Sequence, residues 1–390
     1  MIFSGYEQMG ERPFGTVLFH GLVRDEKGRK MSKSLGNGID PLEVIEKYGA
    51  DALRFTLITG NAPGNDMRFS YERIEASRNF ANKIWNASRF VLMNLEGKTI
   101  TDPSEKDLGS ADRWILSRMN ETVREVTENM EKYELGIAAG KIYDFIWDEY
   151  CDWYIEMVKP RLRSDDEAAG NAARFTLKTV LITALKLLHP YMPFVTEEIF
   201  CIIREATKDD SLCESIMISD FPVYDEKFEY RKEEKEVALV KEAVKGIRNV
   251  RSSMNVAPSR KADVTVVSES EEVLGAFKDS EDFFKVLASA AKAAYQKDKT
   301  GIPDDAVSVV VPNAVLYMPF AELVDISEEK ARLEKEVKRL EGELKRSDSM
   351  LSNEKFLNKA PAAKIEEEKE KRGNYEKMLK EVKERLELIK

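Results

Sequence analysis

Gly28-Arg29-Lys30-Met31-Ser32-Lys33-Ser34-Leu35-Gly36-Asn37-Gly38-Ile39-Asp40-Pro41-Leu42-Glu43 decides how the front of this 390-residue chain reads. Two lysines and two hydroxyls lie on a short glycine-flanked loop, a composition able to grip a polyphosphate. Upstream, residues 14–24 read as one buried strand, with apolar Val17, Leu18, Phe19, Leu22 and Val23, and the polar turn Asp25-Glu26-Lys27-Gly28 follows it. Downstream, Asp40 is a natural helix N-cap, Pro41 suits the first helical position and Glu43 sits three residues after the cap. That helix should run to about Thr59, where Gly60 and Pro63-Gly64 stop it. Between a buried strand and a capped helix is where α/β folds bind phosphates. Ammonium groups and backbone N–H groups aimed at a departing pyrophosphate would stabilise charge as it builds. The pentamer alone is a weak signal, because basic serine-rich loops are common.

Working outward, residues from about 72 to 206 carry long helical patterns. Phe80, Ile84, Ala87 and Val91 recur at helical spacing, as do Ile115, Met119, Val123, Val126 and Met130, and then Ile142, Phe145, Ile146, Tyr150 and Trp153. Breaks at 101–110, 160–170 and 189–193 predict an up-and-down bundle. A charged helix is expected over 231–252. After it come the strand pattern 262–267, two short helical patterns, and a hairpin over 306–320 turning at Pro312-Asn313. From Ser327 the pattern becomes heptad. Leu333, Val337, Leu340, Leu344 and Leu351 form one set, and Ile365, Tyr375, Leu379, Val382, Leu386 and Ile389 a second, interrupted by Arg372. Two such helices around the break at Asn353 to Pro361 should fold back as an antiparallel coiled coil.

The totals narrow the function classes. The length predicts more than one domain, and no apolar run reaches the roughly 20 residues that span a bilayer. Met1 to Gly10 lacks the basic start and apolar stretch of a signal peptide, which points to the cytoplasm. Cys151, Cys201 and Cys213 show no Cys-x-x-Cys spacing and only His20 and His189 could assist them, so no metal site is expected. The net charge of −10 argues against indiscriminate coating of nucleic acid. Residues 328–390 balance at +2 and the remainder at −12, so nucleic-acid contacts must use local patches, with the tail the less repulsive end.

The lysine loop is one of several matching stretches. With it stand Gly21-Leu22-Val23-Arg24-Asp25, Lys47-Tyr48-Gly49-Ala50-Asp51-Ala52-Leu53-Arg54-Phe55 and Gly64-Asn65-Asp66-Met67-Arg68-Phe69-Ser70. Further along are Trp147-Asp148-Glu149-Tyr150-Cys151-Asp152-Trp153-Tyr154, His189-Pro190-Tyr191-Met192-Pro193-Phe194, Arg248-Asn249-Val250-Arg251-Ser252-Ser253-Met254-Asn255 and Leu351-Ser352-Asn353-Glu354-Lys355-Phe356. Together they resemble the valyl type of class I aminoacyl-tRNA synthetase over nearly the whole chain. Isoleucyl and leucyl types share the early stretches. The heptad hairpin and its tip resemble the valyl type, and the lack of C-terminal cysteine clusters disfavours the isoleucyl type.

The resemblance implies a multidomain, mainly α chain. Residues 1–71 would be the C-terminal remnant of a Rossmann-like catalytic domain and 72–225 an anticodon-binding bundle. Residues 226–325 would form a small α+β junction domain, and 326–390 an antiparallel coiled-coil arm leaning on the outer corner of tRNA. It implies that Lys33 contacts ATP, that Lys30 assists at the phosphates, and that Met31, Ser32 and Ser34 complete the nucleotide-binding loop. ATP would be a substrate, with Mg2+ arriving on it. The partner would be a valine-accepting tRNA, and no membrane is involved.

A class I enzyme also needs a His-x-Gly-His element, and neither histidine lies in one. About 70 residues cannot build a doubly wound sheet. The expectation is therefore the C-terminal portion of a valine-tRNA ligase, from a split enzyme or a truncated reading frame, not catalytically complete alone. A stand-alone tRNA-binding module and a coiled-coil interaction protein are the alternatives. Residues 1–70 should leave apolar surface uncovered.

Other residues carry two readings each. Asn37, Asp51 and Arg54 match family positions, with loop bracing and helix packing the stronger reading. Trp147, Tyr150, Trp153 and Tyr154 could stack on bases, but their helical spacing favours core. Arg248 and Arg251, three apart on one helical face, could meet phosphates or form a solvated face. Lys355, Lys359 and Lys364 at the hairpin tip could contact phosphates or be a solvated end. Phe356 and Leu357 are expected to cover the open end of the seam.

Overall fold

A computed structural model describes residues 1–59, 64–323, 326–353 and 361–388. In chain order the front holds α1 (Ile2–Met9), β1 (Val23–Arg24), α2 (Pro41–Tyr48), α3 (Ala50–Ile58) and β2 (Met67–Arg68). The long helices follow: α4 (Tyr71–Leu95), α5 (Ser110–Glu131), α6 (Leu135–Asp144), a π-helical segment (Phe145–Tyr154), α7 (Ile155–Leu162), α8 (Glu167–Leu188) and α9 (Pro193–Thr207). Then come α10 (Arg231–Ser253), β3 (Ala262–Val267), α11 (Glu271–Asp279), α12 (Glu281–Leu287), β4 (Ala290–Gln296), β5 (Val307–Val311), β6 (Ala314–Met318) and α13 (Phe320–Leu323). Last are α14 (Ile326–Leu351) and α15 (Ala362–Leu388). The chain is mostly helical with a small sheet. Contacts divide it into two compact units, Met1–Glu242 with Gly275–Leu287, and Ala243–Leu274 with Ala288–Lys390.

In the first unit the bundle follows the expected period. Phe80, Ile84, Val91, Ile115, Leu177, Leu185 and Phe200 are each at most 1% exposed. Burial of each such side chain is worth about 1.5–3 kcal/mol. Helix α4 packs on α3, α8 and α9, α5 packs on α6 and α8, and α7 packs on α8 and α12. The π-helical segment joins α6 to α7 without a break. There Tyr150 donates its hydroxyl to the Leu177 carbonyl at 2.9 Å, and Tyr154 donates to Asp112 Oδ1 at 2.8 Å. Tyr150, Trp153 and Tyr154 are thus core, while Trp147 is half-buried, stacked on Tyr143 at 5.5 Å with Lys83 Nζ 3.9 Å from its ring centroid.

Two expectations for the front need correction. The helix from Asp40 is not continuous to Thr59. Gly49 takes a φ of 92°, a conformation that side-chain-bearing residues resist, and splits it into α2 and α3. The strand expected over 14–24 shrinks to Val23–Arg24, which pairs in parallel with Met67–Arg68. Before it the chain makes only single contacts to this partner, such as Gly64 N–H to the Phe19 carbonyl at 2.9 Å. Val17, Leu18, Phe19 and Leu22 are exposed, not buried. An extended segment needs a neighbour for its ladder and its apolar face, and among the described residues these four have none. At Gly21 the two segments press so close that a Cβ would fall 1.6 Å from the Asn65 oxygen.

In the second unit the sheet order is β4-β3-β6-β5. β3 runs parallel to β4 and antiparallel to β6, and β5 and β6 form the expected hairpin, with Val311 opposite Ala314. Asn313 supplies the positive φ, 59°, that the tight turn requires. Strand β4 was not expected. Its Ala-Ala-Lys-Ala-Ala start favours helix locally, and pairing with β3 overrides that preference. Helices α14 and α15 run antiparallel, tied by Lys383 to Glu341 at 2.7 Å and Arg372 to Asp348 at 2.6 Å. Leu333 and Leu340 are buried in the seam. One heptad on, buried Ser347 donates to Glu368 at 2.6 Å, so the seam turns polar there. Among the described residues no helix is long and apolar enough to cross a membrane.

Candidate functional site

The turn before the lysine loop is built around Asp25, which is 8% exposed. Its carboxylate accepts from Arg29 N–H at 2.7 Å and from Arg29 Nε at 2.8 Å. Gly28, with φ 76°, closes the turn by donating to the Asp25 carbonyl at 2.8 Å. The Asn37 amide first, and Arg29 after it, hold the Asp25 carboxyl well below the usual carboxylate range.

Asn37 reaches across the loop. Its Oδ1 accepts from Ser32 N–H at 2.9 Å, and its Nδ2 donates to Asp25 Oδ2 at 3.0 Å and to the Lys30 carbonyl at 3.2 Å. Ser32 Oγ accepts from Leu35 N–H at 3.3 Å, capping the 3-10 turn Lys33–Leu35, and lies 3.2 Å from Ser34 Oγ. Met31 is half-buried and packs against the core of Val44, Ala52, Leu53, Phe69 and Ile74. Lys30, Lys33 and Ser34 are exposed. One anchored residue and one clip thus present two ammonium groups and two hydroxyls on a single short loop.

That core leads to a second joint. Asp40 Oδ1 caps α2, accepting from Leu42 N–H at 2.8 Å. From α3, Asp51 accepts from Phe194 N–H at 3.2 Å and Val195 N–H at 2.7 Å, in the first turn of α9. Arg54 donates to the carbonyls of Pro190 at 3.1 Å and Tyr191 at 3.2 Å, just beyond α8. The acid meets the positive end of one helix and the base the negative end of another.

The other site candidates fare differently. Arg248 is exposed, but Arg251 is 6% exposed and does not share its face. After Ser253 the chain doubles back through Asn255, at φ 54°, and Arg251 donates to the carbonyls of Ala257 and Arg260. Burial lowers the pKa of its guanidinium. Arg251 therefore braces this turn, a correction to its reading as a phosphate contact. Lys364 is exposed in the first turn of α15. Lys355 and Lys359, with Phe356 and Leu357, lie outside the described residues.

The sequence reading missed one bundle surface. On α4, Trp85 is 38% exposed and Arg89 exposed, while Phe90 is half-buried with Lys159 Nζ 5.6 Å from its ring centroid. Trp85 and Phe90 fall off the stripe of Phe80, Ile84, Ala87 and Val91, and that phase is the signal that could have found them. Among the described residues no group of three or more His, Cys, Asp or Glu could hold a metal ion. Burial pushes the Cys151 thiol up to about 12, which makes it a poor ligand and nucleophile.

Three family models match the chain. One for class I tRNA synthetases (I, L, M and V) matches residues 1–70, one for the anticodon-binding domain of tRNA ligase matches 112–266, and one for the valyl tRNA synthetase tRNA binding arm matches 325–390. A valine–tRNA ligase of Clostridium perfringens is 53% identical over 390 residues, and one of Clostridium tetani is 54% identical over 391. Each alignment covers 100% of this chain and 44% of the relative, so the chain spans less than half the length of the curated relatives it matches. A solved LeuRS-tRNA-LeuAMS ternary complex from Agrobacterium radiobacter K84 is 20% identical with a TM-score of 0.46, over 68% of this chain and 28% of its own. By its sequence matches along its whole length, the chain belongs to the valine–tRNA ligase family of class I tRNA synthetases and corresponds to the C-terminal part of its relatives.

Proposed function

We propose that this chain supplies the pyrophosphate-side loop and the tRNA-binding parts of a valine–tRNA ligase. Valine and ATP would give valyl-adenylate and pyrophosphate, and valine would then pass to tRNA. The observation that carries this reading is the clipped loop presenting Lys30 and Lys33 within the segment that matches class I tRNA synthetases. Lys33 would hold the phosphates of ATP as charge moves to the departing pyrophosphate, with Lys30 assisting and the loop's N–H groups and serines lining the same oxygens. Mg2+ would enter with ATP as part of the substrate.

The tRNA would use three regions. Residues 72–225 would take the anticodon end, and the Trp85, Phe90, Arg89 and Lys159 surface suits unstacked bases beside phosphates. Residues 226–325 would form a junction. Residues 326–390 would be the coiled-coil arm on the outer corner of tRNA, with Lys355, Lys359 and Lys364 toward phosphates. A cytoplasmic setting belongs to the same proposal.

The test is valine-dependent pyrophosphate exchange. The expected result is no exchange from this chain alone, and exchange once a separately made N-terminal portion carrying a His-x-Gly-His element is added. Exchange by the chain alone would overturn the view that half the site lies elsewhere. In the reconstituted enzyme Lys33→Ala should slow exchange by about 3–4 kcal/mol of barrier, by analogy with loss of one oxyanion donor, while thermal stability stays unchanged.

A further inference from the structure

We infer that Asn37 is a positioning residue for the candidate polyphosphate loop. It would act as a clip that holds Lys30 and Lys33 in the spacing a polyphosphate requires. The proposal rests on the reading of this loop as a phosphate grip.

The argument is one of donors and acceptors. The site asks one side chain for an acceptor facing Ser32 N–H, and for donors facing the Asp25 carboxylate and the Lys30 carbonyl. A primary amide offers this set, with one oxygen and two N–H bonds on one planar group. Asp25 cannot move to meet a shorter side chain, because Arg29 holds it through both backbone and guanidinium. The clip also bonds on both sides of Met31, the loop residue that packs into the core. Lys33 follows Ser32 directly, so the amide of Asn37 and the side chain of Met31 together fix where the turn Lys33–Leu35 begins. Aspartate in place of Asn37 would keep the shape but set a carboxylate about 3 Å from that of Asp25. The charged groups around that pair are Arg29 behind it and Lys30 and Lys33 on the loop itself.

The experiment uses the full chain, with inorganic tripolyphosphate as probe. Hydrogen exchange of the peptide containing Ser32 reports the clip, calorimetric titration reports the grip, and thermal melting confirms folding. Asn37→Ala should raise Ser32 exchange and weaken tripolyphosphate binding, each about ten-fold, the worth of roughly one net hydrogen bond, without moving Tm. Asn37→Asp should show the same losses at pH 8 and regain both as pH falls, once the two carboxylates share a proton. Wild type should show no such recovery. Binding that is intact in wild type and equally intact in Asn37→Ala overturns the proposal, whether or not exchange rises. Binding absent from wild type and from Lys33→Ala alike overturns instead the phosphate reading on which it rests.

Discussion

Phe80 and Phe19 are the same side chain in two settings. Phe80 is fully buried in the bundle, and Phe19 is 75% exposed at the front. The contrast is regional. Between Tyr71 and Thr207 the large apolar residues find partners on neighbouring helices, whereas Phe3, Met9, Val17 and Phe19 are all more than half exposed. The polar chemistry divides the same way. In the bundle Asp112 is wholly buried and accepts from Tyr154, Gly109 N–H and Arg161. At the front the pair Arg24–Asp66 is about a third exposed. Order in the bundle comes from burial. Order at the front comes from a few directed hydrogen bonds around Asp25 and Asn37, with Met31 as its apolar anchor.

Substitutions can break this contrast. The largest effect should come from Asp112→Ala, which strands a buried guanidinium and a buried hydroxyl. Urea unfolding should show a loss of about 3–5 kcal/mol, and a loss below about 1 kcal/mol would mean that the bundle does not depend on its buried polar centre. Asp66→Ala at the front should cost no more than about 1 kcal/mol. A middle effect is expected where the regions join. Asp51→Ala removes the cap of α9 and should cost about 1–2 kcal/mol, with faster exchange at the amides of Phe194 and Val195. Unchanged exchange there would separate α3 from the bundle. The smallest effect should come from Phe19→Ser, within about 0.5 kcal/mol in unfolding. Light scattering should nevertheless report less self-association, because exposed apolar side chains mark an association surface. A clear stability loss would show Phe19 to be packed and would erase the contrast.

What was legible in the sequence was local. The cap at Asp40, the period of Phe80, Ile84 and Val91, and the heptad positions Leu333 and Leu340 depend on neighbours within a turn or two, and each stands in the structure as its pattern implies. The break at Gly49 was hidden because apolar spacing continues through it, although the glycine itself was the available signal. Strand β4 was unreadable because its reason for being a strand is β3, more than 20 residues away. Arg251 was misjudged because the turn that buries it lies beyond its helix. In the loop, residue types pointed to phosphate chemistry. The clip by Asn37, across five and seven residues, becomes visible only once the loop has a shape.

The π-helical stretch Phe145–Tyr154 acts as a phase shifter in the rod from Leu135 to Leu162. Its wider turn holds one residue more than an α-helical path of the same rise would need. Excising a single residue there would let the rod wind as plain α-helix. Each residue of an α-helix advances about 100°, so one face of α7 would then be out of step by that angle. Arg161 would swing away from Asp112, and Met157 and Val158 would leave the interior. In this rod the extra residue serves as a setting of angle, and a deletion of one residue would be felt as a rotation, far more than as a shortening.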